Sequence, residues 1–211
     1  MSNNVIINPA VRPGTTPDHV SAVEQETHRL VLEQDIANKS GNHEAAIKIG
    51  HDIVRVRLRA YKPESSQVGA AYGALGSAYA NADRIHEAEE AIEKCVAIQE
   101  AAQARNDAAL AREQLAQLRE RQDRFDEAKA VRLRGAASDE IACANDRCPS
   151  TSFMFRMRHG YAELFTLSEL KTCGACRSVF YCCKGCQKED WKARHKLLCR
   201  DHTPTLEKVD T

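Results

Sequence analysis

Residues 173–199 read CGACRSVFYCCKGCQKEDWKARHKLLC, and this stretch decides how the last third of the chain folds. In this stretch, and also at residues 143 and 148, cysteines and one histidine occur as pairs only a few residues apart. The pairs are Cys143/Cys148, Cys173/Cys176, Cys182/Cys186 and His195/Cys199. Structural zinc binds four thiolate or imidazole ligands and keeps no open position, so the array predicts two closed zinc sites per chain.

A disulfide framework is the alternative use of these cysteines, and it is typical of small secreted domains. The chain does not open with a signal-peptide pattern, and a histidine belongs to the array. We therefore expect zinc rather than disulfides, and a cytoplasmic or nuclear location.

A single helix is predicted between the last two ligand pairs, because residues 187–198 contain neither glycine nor proline. Gln187, Trp191, His195 and Cys199 follow one another at intervals of four residues. Residues four apart lie on one helix face, so His195 and Cys199 can bind one ion from successive turns.

The segment YCCKGCQKEDWKARHKLLC resembles the second half of the MYND zinc finger, whose pattern is YC-x3-CQ-x3-W-x3-H-x3-C. The resemblance implies a short hairpin, a C-terminal helix and interleaved ligand pairs. The first zinc would then be bound by Cys143, Cys148, Cys182 and Cys186. The second would be bound by Cys173, Cys176, His195 and Cys199.

The sequence departs from the family pattern before and within this segment. Four residues separate Cys143 from Cys148 where the family usually has two, and residues 149–172 exceed the usual gap. Cys183 forms a two-residue knuckle of its own with Cys186 and could replace Cys182 as ligand. The family commonly has serine at that position, which favours Cys182.

The residues from about 20 to 134 are rich in Ala, Glu, Gln, Leu and Arg and predict helices, with polar breaks at 39–42, 62–66 and 81–84. A turn followed by Glu-Ala recurs as GNHEA, RIHEA and RFDEA, starting at residues 41, 84 and 124. The pattern resembles tetratricopeptide repeats, and we predict two or three degenerate copies. In the second copy the signature positions hold Tyr72, Leu75, Gly76, Tyr79, Ala88, Ile92 and Cys95.

The predicted fold class is therefore mainly α, with an antiparallel, tetratricopeptide-like helical-repeat domain followed by a small two-zinc MYND finger. We expect flexible tails at 1–19 and 201–211, repeats at 20–137 and the finger at 142–200. The joint between the two domains is expected near 136–141.

The resemblance also implies a function in protein binding. MYND fingers bind proline-rich peptides of the P-x-L-x-P type, and the corresponding side chains here are Gln187 and Trp191. An extended proline-rich peptide has little entropy to lose and packs well on an aromatic face. The alternative is that Trp191 only covers the zinc core. A solenoid of repeats would bind a second protein partner, unless the repeats merely pack on the finger.

Several other function classes are disfavoured by the sequence. It contains no glycine-rich phosphate loop, nucleophile elbow or HExxH helix, so we expect no enzyme. The uncharged segment 65–82 is interrupted by Gln67, Ser77 and Asn81, and a membrane span is not expected. The chain has no net formal charge, and we do not expect nucleic acid as a partner. The alternative functions are a RING-like ubiquitin-ligase component and a nucleic-acid-associated zinc finger.

Overall fold

The computed structural model of the protein describes residues 9–151 and 159–199. The chain divides into two compact units, with the boundary between Ala111 and Arg112. We call the part up to Ala111 the repeat unit and the part from Arg112 onward the finger unit.

The repeat unit consists of consecutive antiparallel helices joined by short turns. Its core contains the buried side chains of Val68, Leu75 and Ala78, among others. The helices are α1 (Pro17–Lys39), α2 (His43–Ala60), α3 (Ser66–Asn81), α4 (Ile85–Ala101) and the first part of α5 (Arg105–Glu120). The polar breaks predicted from the sequence coincide with the connections between these helices.

Short polar side chains begin three of these helices. Thr16, Asn42 and Ser65 each accept a hydrogen bond from the backbone N–H three residues further on. Such bonds satisfy donors that a helix start leaves without an intrahelical partner. Gly41 has a φ of 74°, which lets the chain turn sharply between α1 and α2.

The predicted N-terminal tail is wrong in its second half. Val11 forms an isolated antiparallel bridge with Tyr61 and packs against the core of the repeat unit. Helix α1 already begins at Pro17, because proline at the first helical position has a suitable φ and lacks a donor that would go unpaired. Residues 1–8 of the tail lie outside the described ranges.

The finger unit combines a helical hairpin with a two-stranded sheet and a short helix. Strands β1 and β2 are antiparallel, with Lys171 opposite Tyr181 and Thr172 opposite Phe180. Its elements after α5 are α6 (Phe125–Leu133), a 3-10 turn (Ala136–Ser138), β1 (Lys171–Thr172), β2 (Phe180–Tyr181), α7 (Lys184–Asp190), a π-helical turn (Trp191–His195) and α8 (Lys196–Leu198). The predicted hairpin and C-terminal helix are both present.

The domain boundary differs from the predicted joint near 136–141. Ala136–Ser138 form a turn, and Ile141 is buried and pairs with Phe165 in an isolated bridge. The compact unit that holds the finger starts much earlier, at Arg112. The reason is that buried charges of α5 and α6 have their partners in the finger, which a sequence pattern does not reveal. The predicted tail at 201–211 lies outside the part of the chain that the structure describes.

None of the helices within residues 9–151 and 159–199 combines the length and apolar character that a membrane span requires.

Candidate metal centre

Two groups of four side chains converge in the finger unit. In each group the ligand atoms all lie within 4.8 Å of one another. The first group, site 1, consists of Cys143, Cys148, Cys182 and Cys186, and the second, site 2, of Cys173, Cys176, His195 and Cys199. These are the two quartets that the family resemblance implies.

The distances between the sulfur atoms fit zinc. Four sulfurs at tetrahedral positions about 2.3 Å from a zinc ion are about 3.8 Å from one another. Cys148 Sγ lies 3.7 Å from Cys182 Sγ, and Cys173 Sγ lies 4.0 Å from Cys199 Sγ. A disulfide requires an S–S distance of about 2.05 Å, and all nine cysteines are free. Both groups therefore have the donor set and the dimensions of closed structural zinc sites.

Backbone hydrogen bonds shape the first knuckle of site 2. The N–H of Cys173 donates to Val179 O at 2.9 Å, and the N–H of Arg177 donates to Cys173 O at 3.0 Å. Arg177 has a φ of 55°, so the chain reverses its direction directly after Cys176. The small residues Gly174 and Ala175 permit this tight turn between the two thiols.

Cys182 and Cys183 have different roles in the structure. Cys182 belongs to site 1, and its N–H points at Cys143 Sγ at 3.4 Å. Cys183 is exposed, and its sulfur accepts the N–H of Cys186 at the start of α7. The arrangement favours Cys182 as the ligand and makes Cys183 a helix cap.

The thiols of site 1 are coupled to one another. A hydrogen bond between them raises the pKa of Cys143 and lowers that of Cys148 to about 5. The hydrogen bond thus favours the thiolate form of Cys148 over that of Cys143. Zinc binds thiolates and releases protons, so binding at this site weakens as the pH falls.

The helix between the last ligands is not a continuous α-helix as predicted. Residues 191–195 form a π-helical turn in which the N–H of Lys196 donates to Trp191 O. The extra residue in this turn changes the direction of the following side chains, and π-turns are often found at functional sites. His195 is fully buried, and its Nε2 lies 3.4 Å from Cys176 Sγ.

A network of buried charges lies behind site 2, and the sequence analysis did not identify it. Arg132 of α6 is only 1% exposed and pairs with Glu113 at 2.7 Å and Glu120 at 2.5 Å. Arg194 pairs with Glu120 at 2.5 Å and with Asp190 at 3.0 Å. The hairpin of α5 and α6 is thereby bound to the finger through ion pairs.

Two further hydrogen bonds extend this network. Arg132 Nη1 donates to Ser178 O at 2.9 Å, and Tyr181 OH donates to Asp190 at 2.7 Å. A signal for the network is present in the sequence, since Glu113 and Glu120 are seven residues apart and share one face of a helix. Their partners could not be named without the tertiary structure.

The two glutamates respond differently to burial. Burial raises the pKa of Glu120, but Arg132, His195 and Arg194 outweigh it, and the net pKa is lowered. For Glu113 burial is the larger effect, and the pKa is raised despite Arg132. Glu120 is thus held as a carboxylate at neutral pH.

Gln187 and Trp191, the residues predicted to bind peptides, are both partly exposed. The Trp191 ring stands edge-on to the His195 ring, with centroids 5.8 Å apart, and packs against the cysteine-rich core. Trp191 therefore does some of the packing over site 2 and still presents part of its surface to solvent.

Comparison with protein families finds one matching segment in each half of the chain. The model of the MYND finger matches residues 162–199, and the tetratricopeptide repeat model matches residues 69–101. Cys143 and Cys148 precede the first match, so the structure rather than the family model brings them into site 1.

Three curated proteins resemble short parts of the chain. Egl nine homolog 1 of Mus musculus is 54% identical over 41 residues, which is 19% of this chain and 10% of that protein. SET domain-containing protein 14 of Caenorhabditis elegans is 49% identical over 37 residues, 18% of this chain and 8% of that protein. Ubiquitin carboxyl-terminal hydrolase 19 of Arabidopsis thaliana is 49% identical over 35 residues, 17% of this chain and 5% of that protein.

The matched part of the chain thus spans a tenth or less of the length of these relatives. No solved structure matches the chain. The ligand geometry and the family comparison agree that the chain contains a two-zinc MYND finger, and it carries a tetratricopeptide repeat at residues 69–101.

Proposed function

We propose that this protein is a non-catalytic adaptor that binds a proline-rich peptide through its finger and a second protein through its repeats. MYND fingers and tetratricopeptide repeats are protein-interaction modules, and their presence supports a zinc-binding interaction protein. The observation that carries the peptide site is the partly exposed pair Gln187 and Trp191 beside site 2.

Trp191 is suited to bind an extended peptide. Its ring is held against His195, so little side-chain entropy remains to be lost when a ligand binds. Proline-rich segments dock on exposed aromatic surfaces because their conformation is already restricted. Gln187, one turn earlier, has an amide that can both donate and accept hydrogen bonds with a peptide backbone.

The repeat unit has a candidate surface for the second partner on α1. Leu32 and Ile36 are 52% and 66% exposed and lie four residues apart on that helix. Apolar side chains adjacent on one face of a helix are typical of protein contacts. Their exposure supports a second binding surface in addition to the finger.

The adaptor proposal includes the absence of catalysis and a cytoplasmic or nuclear location. Both metal sites have four protein ligands, which leaves no position for a substrate or reactive water. The relatives with enzyme names match this chain over only 37 and 35 residues, so their activities are not part of the proposal.

The peptide site is tested by titrating the zinc-loaded protein with a P-x-L-x-P peptide while Trp191 fluorescence is recorded. The chain has one tryptophan, so the signal reports on this site alone. We expect saturable binding that is lost with a peptide whose prolines are replaced by alanine. Calorimetry on Gln187→Ala should show binding weakened by about tenfold, which corresponds to one lost hydrogen bond of about 1.4 kcal/mol.

Lys192→Ala is the matched control, because this exposed residue neighbours Trp191 and belongs to the same π-turn. It should bind the peptide like the parent protein. Equal loss of peptide binding in both variants would contradict the peptide site, and so would calorimetry that detects no binding to the parent protein. Either result would leave partner binding to the repeat unit.

A further inference from the structure

We infer that Glu120, on helix α5, is a positioning residue of site 2 that fixes the ring of the zinc ligand His195. Glu120 lies outside the segment 162–199 that matches the MYND finger. The inference extends the metal centre from the finger to the helical hairpin that precedes it.

The two ring nitrogens of His195 face different surroundings. Nε2 lies 3.4 Å from Cys176 Sγ and therefore points toward the other ligands of site 2. Nδ1 is buried and has no hydrogen-bond partner within residues 9–151 and 159–199. A carboxylate oxygen of Glu120 lies 3.8 Å from it. Nδ1 is thus the nitrogen available to an acceptor outside the metal's own ligands.

Glu120 is held in a fixed position behind the ring. Its side chain is fully buried and is bound on two sides, by Arg132 at 2.5 Å and Arg194 at 2.5 Å. These two cations come from α6 and from the π-turn, so the carboxylate is fixed by both the hairpin and the finger. A buried carboxylate between two guanidinium groups is compensated and has little freedom to turn away.

This arrangement suits a histidine that binds a metal. The ligand nitrogen must be free of its proton, so the proton of the neutral ring belongs on Nδ1. A carboxylate that accepts this proton in a hydrogen bond selects the correct tautomer and orients the ring, and removal of such a partner typically weakens metal binding 10- to 100-fold. Glu120 is the carboxylate that the structure provides for this role.

The test compares Glu120→Gln with Glu113→Gln in the full-length protein. Both residues are buried on α5 and both pair with Arg132, but only Glu120 approaches His195. Zinc would be withdrawn with a chromogenic chelator, and cobalt(II) would be substituted to follow each site by its absorption spectrum. We expect Glu120→Gln to weaken metal binding at site 2 by about 10- to 100-fold. Site 1 should be unchanged in that variant, and Glu113→Gln should leave both sites close to the parent.

The same substitution in a variant that lacks the His195 ring distinguishes an effect on ring positioning from a general loss of stability. His195→Cys keeps four ligands at site 2 but removes the ring, so adding Glu120→Gln should then cause no further loss of metal affinity. Equal weakening in Glu113→Gln, or a persistent loss in the His195→Cys background, would overturn the inference. If Glu120→Gln does not fold with excess zinc, Glu120→Asp is measured instead by the same cobalt(II) titration. Metal binding at site 2 that is not selectively weakened in Glu120→Asp would overturn the inference.

Discussion

The repeat unit and the finger unit differ in how deeply some of their ion pairs are buried. In the repeat unit, pairs such as Arg29 with Glu33 and Lys39 with Asp35 lie on the surface, and the core is formed by Val, Leu, Ile and Ala. In the finger unit, Arg132 and Glu120 are buried together beside a zinc site. In the finger unit, bound metal and compensated charges therefore stabilise the fold together with buried apolar side chains such as Phe125, Val131 and Phe180.

The turn motifs before α2, α4 and α6 are alike, yet the last of these helices lies in the finger unit. Similar helical patterns therefore do not require similar partners. The contacts of a helix depend on the charges that its inner face carries.

Removal of zinc is expected to have the largest effect, because it should unfold the finger unit and leave the repeat unit folded. Structural zinc contributes on the order of 10 kcal/mol or more to the folding of a small domain, so chelation should unfold the finger unit. Because α6 and the end of α5 belong to that unit, the loss of helical circular dichroism should exceed the share of α7 and α8 alone. The repeat unit should keep its helical signal, and zinc should restore the rest.

Hydrogen exchange during chelation would locate the change along the chain. Protection should be lost from about residue 112 onward and be retained in α2 and α3. Loss of protection throughout, in one step, would mean that the repeat unit depends on the metal.

The second prediction concerns the buried ion pairs. Arg132→Met leaves Glu113 and Glu120 without their shared cation inside the protein, and breaking such a buried pair costs about 3–5 kcal/mol. The matched change in the repeat unit is Arg29→Met, which removes an exposed pair that contributes about 0–1 kcal/mol. Chemical unfolding of the zinc-loaded variants measures both costs. Similar costs for the two would show that the proposed contrast between the units is wrong.

The third prediction tests close packing in the repeat unit. A Cβ at Gly76 would collide with the side chain of Ile92. Overpacking of this kind costs about 1–3 kcal/mol, which the better helix propensity of alanine reduces by up to about 1 kcal/mol. Gly76→Ala should therefore destabilise the repeat unit and leave zinc affinity unchanged. Ile92→Ala removes the colliding Cγ1, so thermal unfolding should show a smaller loss from Gly76→Ala in that background, and an equal loss in both backgrounds would contradict the collision.

The smallest effect is expected for the substitution of Tyr61, a buried residue of the repeat unit that carries a polar hydroxyl group. Tyr61 OH donates to Glu24, and burial, followed by the hydrogen bond and charge of Glu24, raises the pKa of Tyr61 to about 12. Tyr61→Phe should cost about 1 kcal/mol at neutral pH. The raised pKa stabilises the fold fully below about pH 10, and this contribution is lost as the pH rises toward 12.

The difference in unfolding free energy between the parent and Tyr61→Phe should therefore shrink between pH 10 and pH 12. Subtracting the two proteins removes the titration of groups that they share. A difference that stays constant over this range would contradict the raised pKa of Tyr61.

Much of the candidate site could be predicted from residue types and spacing. The eight ligands follow from the pairs of cysteines and the histidine, and the two quartets follow from the family resemblance. Helix breaks such as 39–42 and 62–66 were recognisable because short polar segments interrupt the helical composition, and Asn42 and Ser65 there satisfy local donors at helix starts. These features depend on residues close in sequence, or on a motif that a metal brings together.

Other features depended on contacts between distant residues. Val11 has no local pattern, and only its pairing with Tyr61 gives it a fixed position. The π-turn at 191–195 was not expected, because a four-residue spacing by itself fits an ordinary helix. The roles of Gln187 and Trp191 in peptide binding stay predictions.

Residue types and their spacing are enough to predict the metal, its ligands and the helical character of the first two thirds. These properties follow from short-range chemistry, since thiols a few residues apart can bind one ion and periodic apolar residues form helices. The three-dimensional fold was needed to show that the last helical hairpin belongs with the finger and that Glu120 faces His195. A buried charge is stable only beside its partners, and those partners, Arg132 and Arg194, come from other parts of the chain.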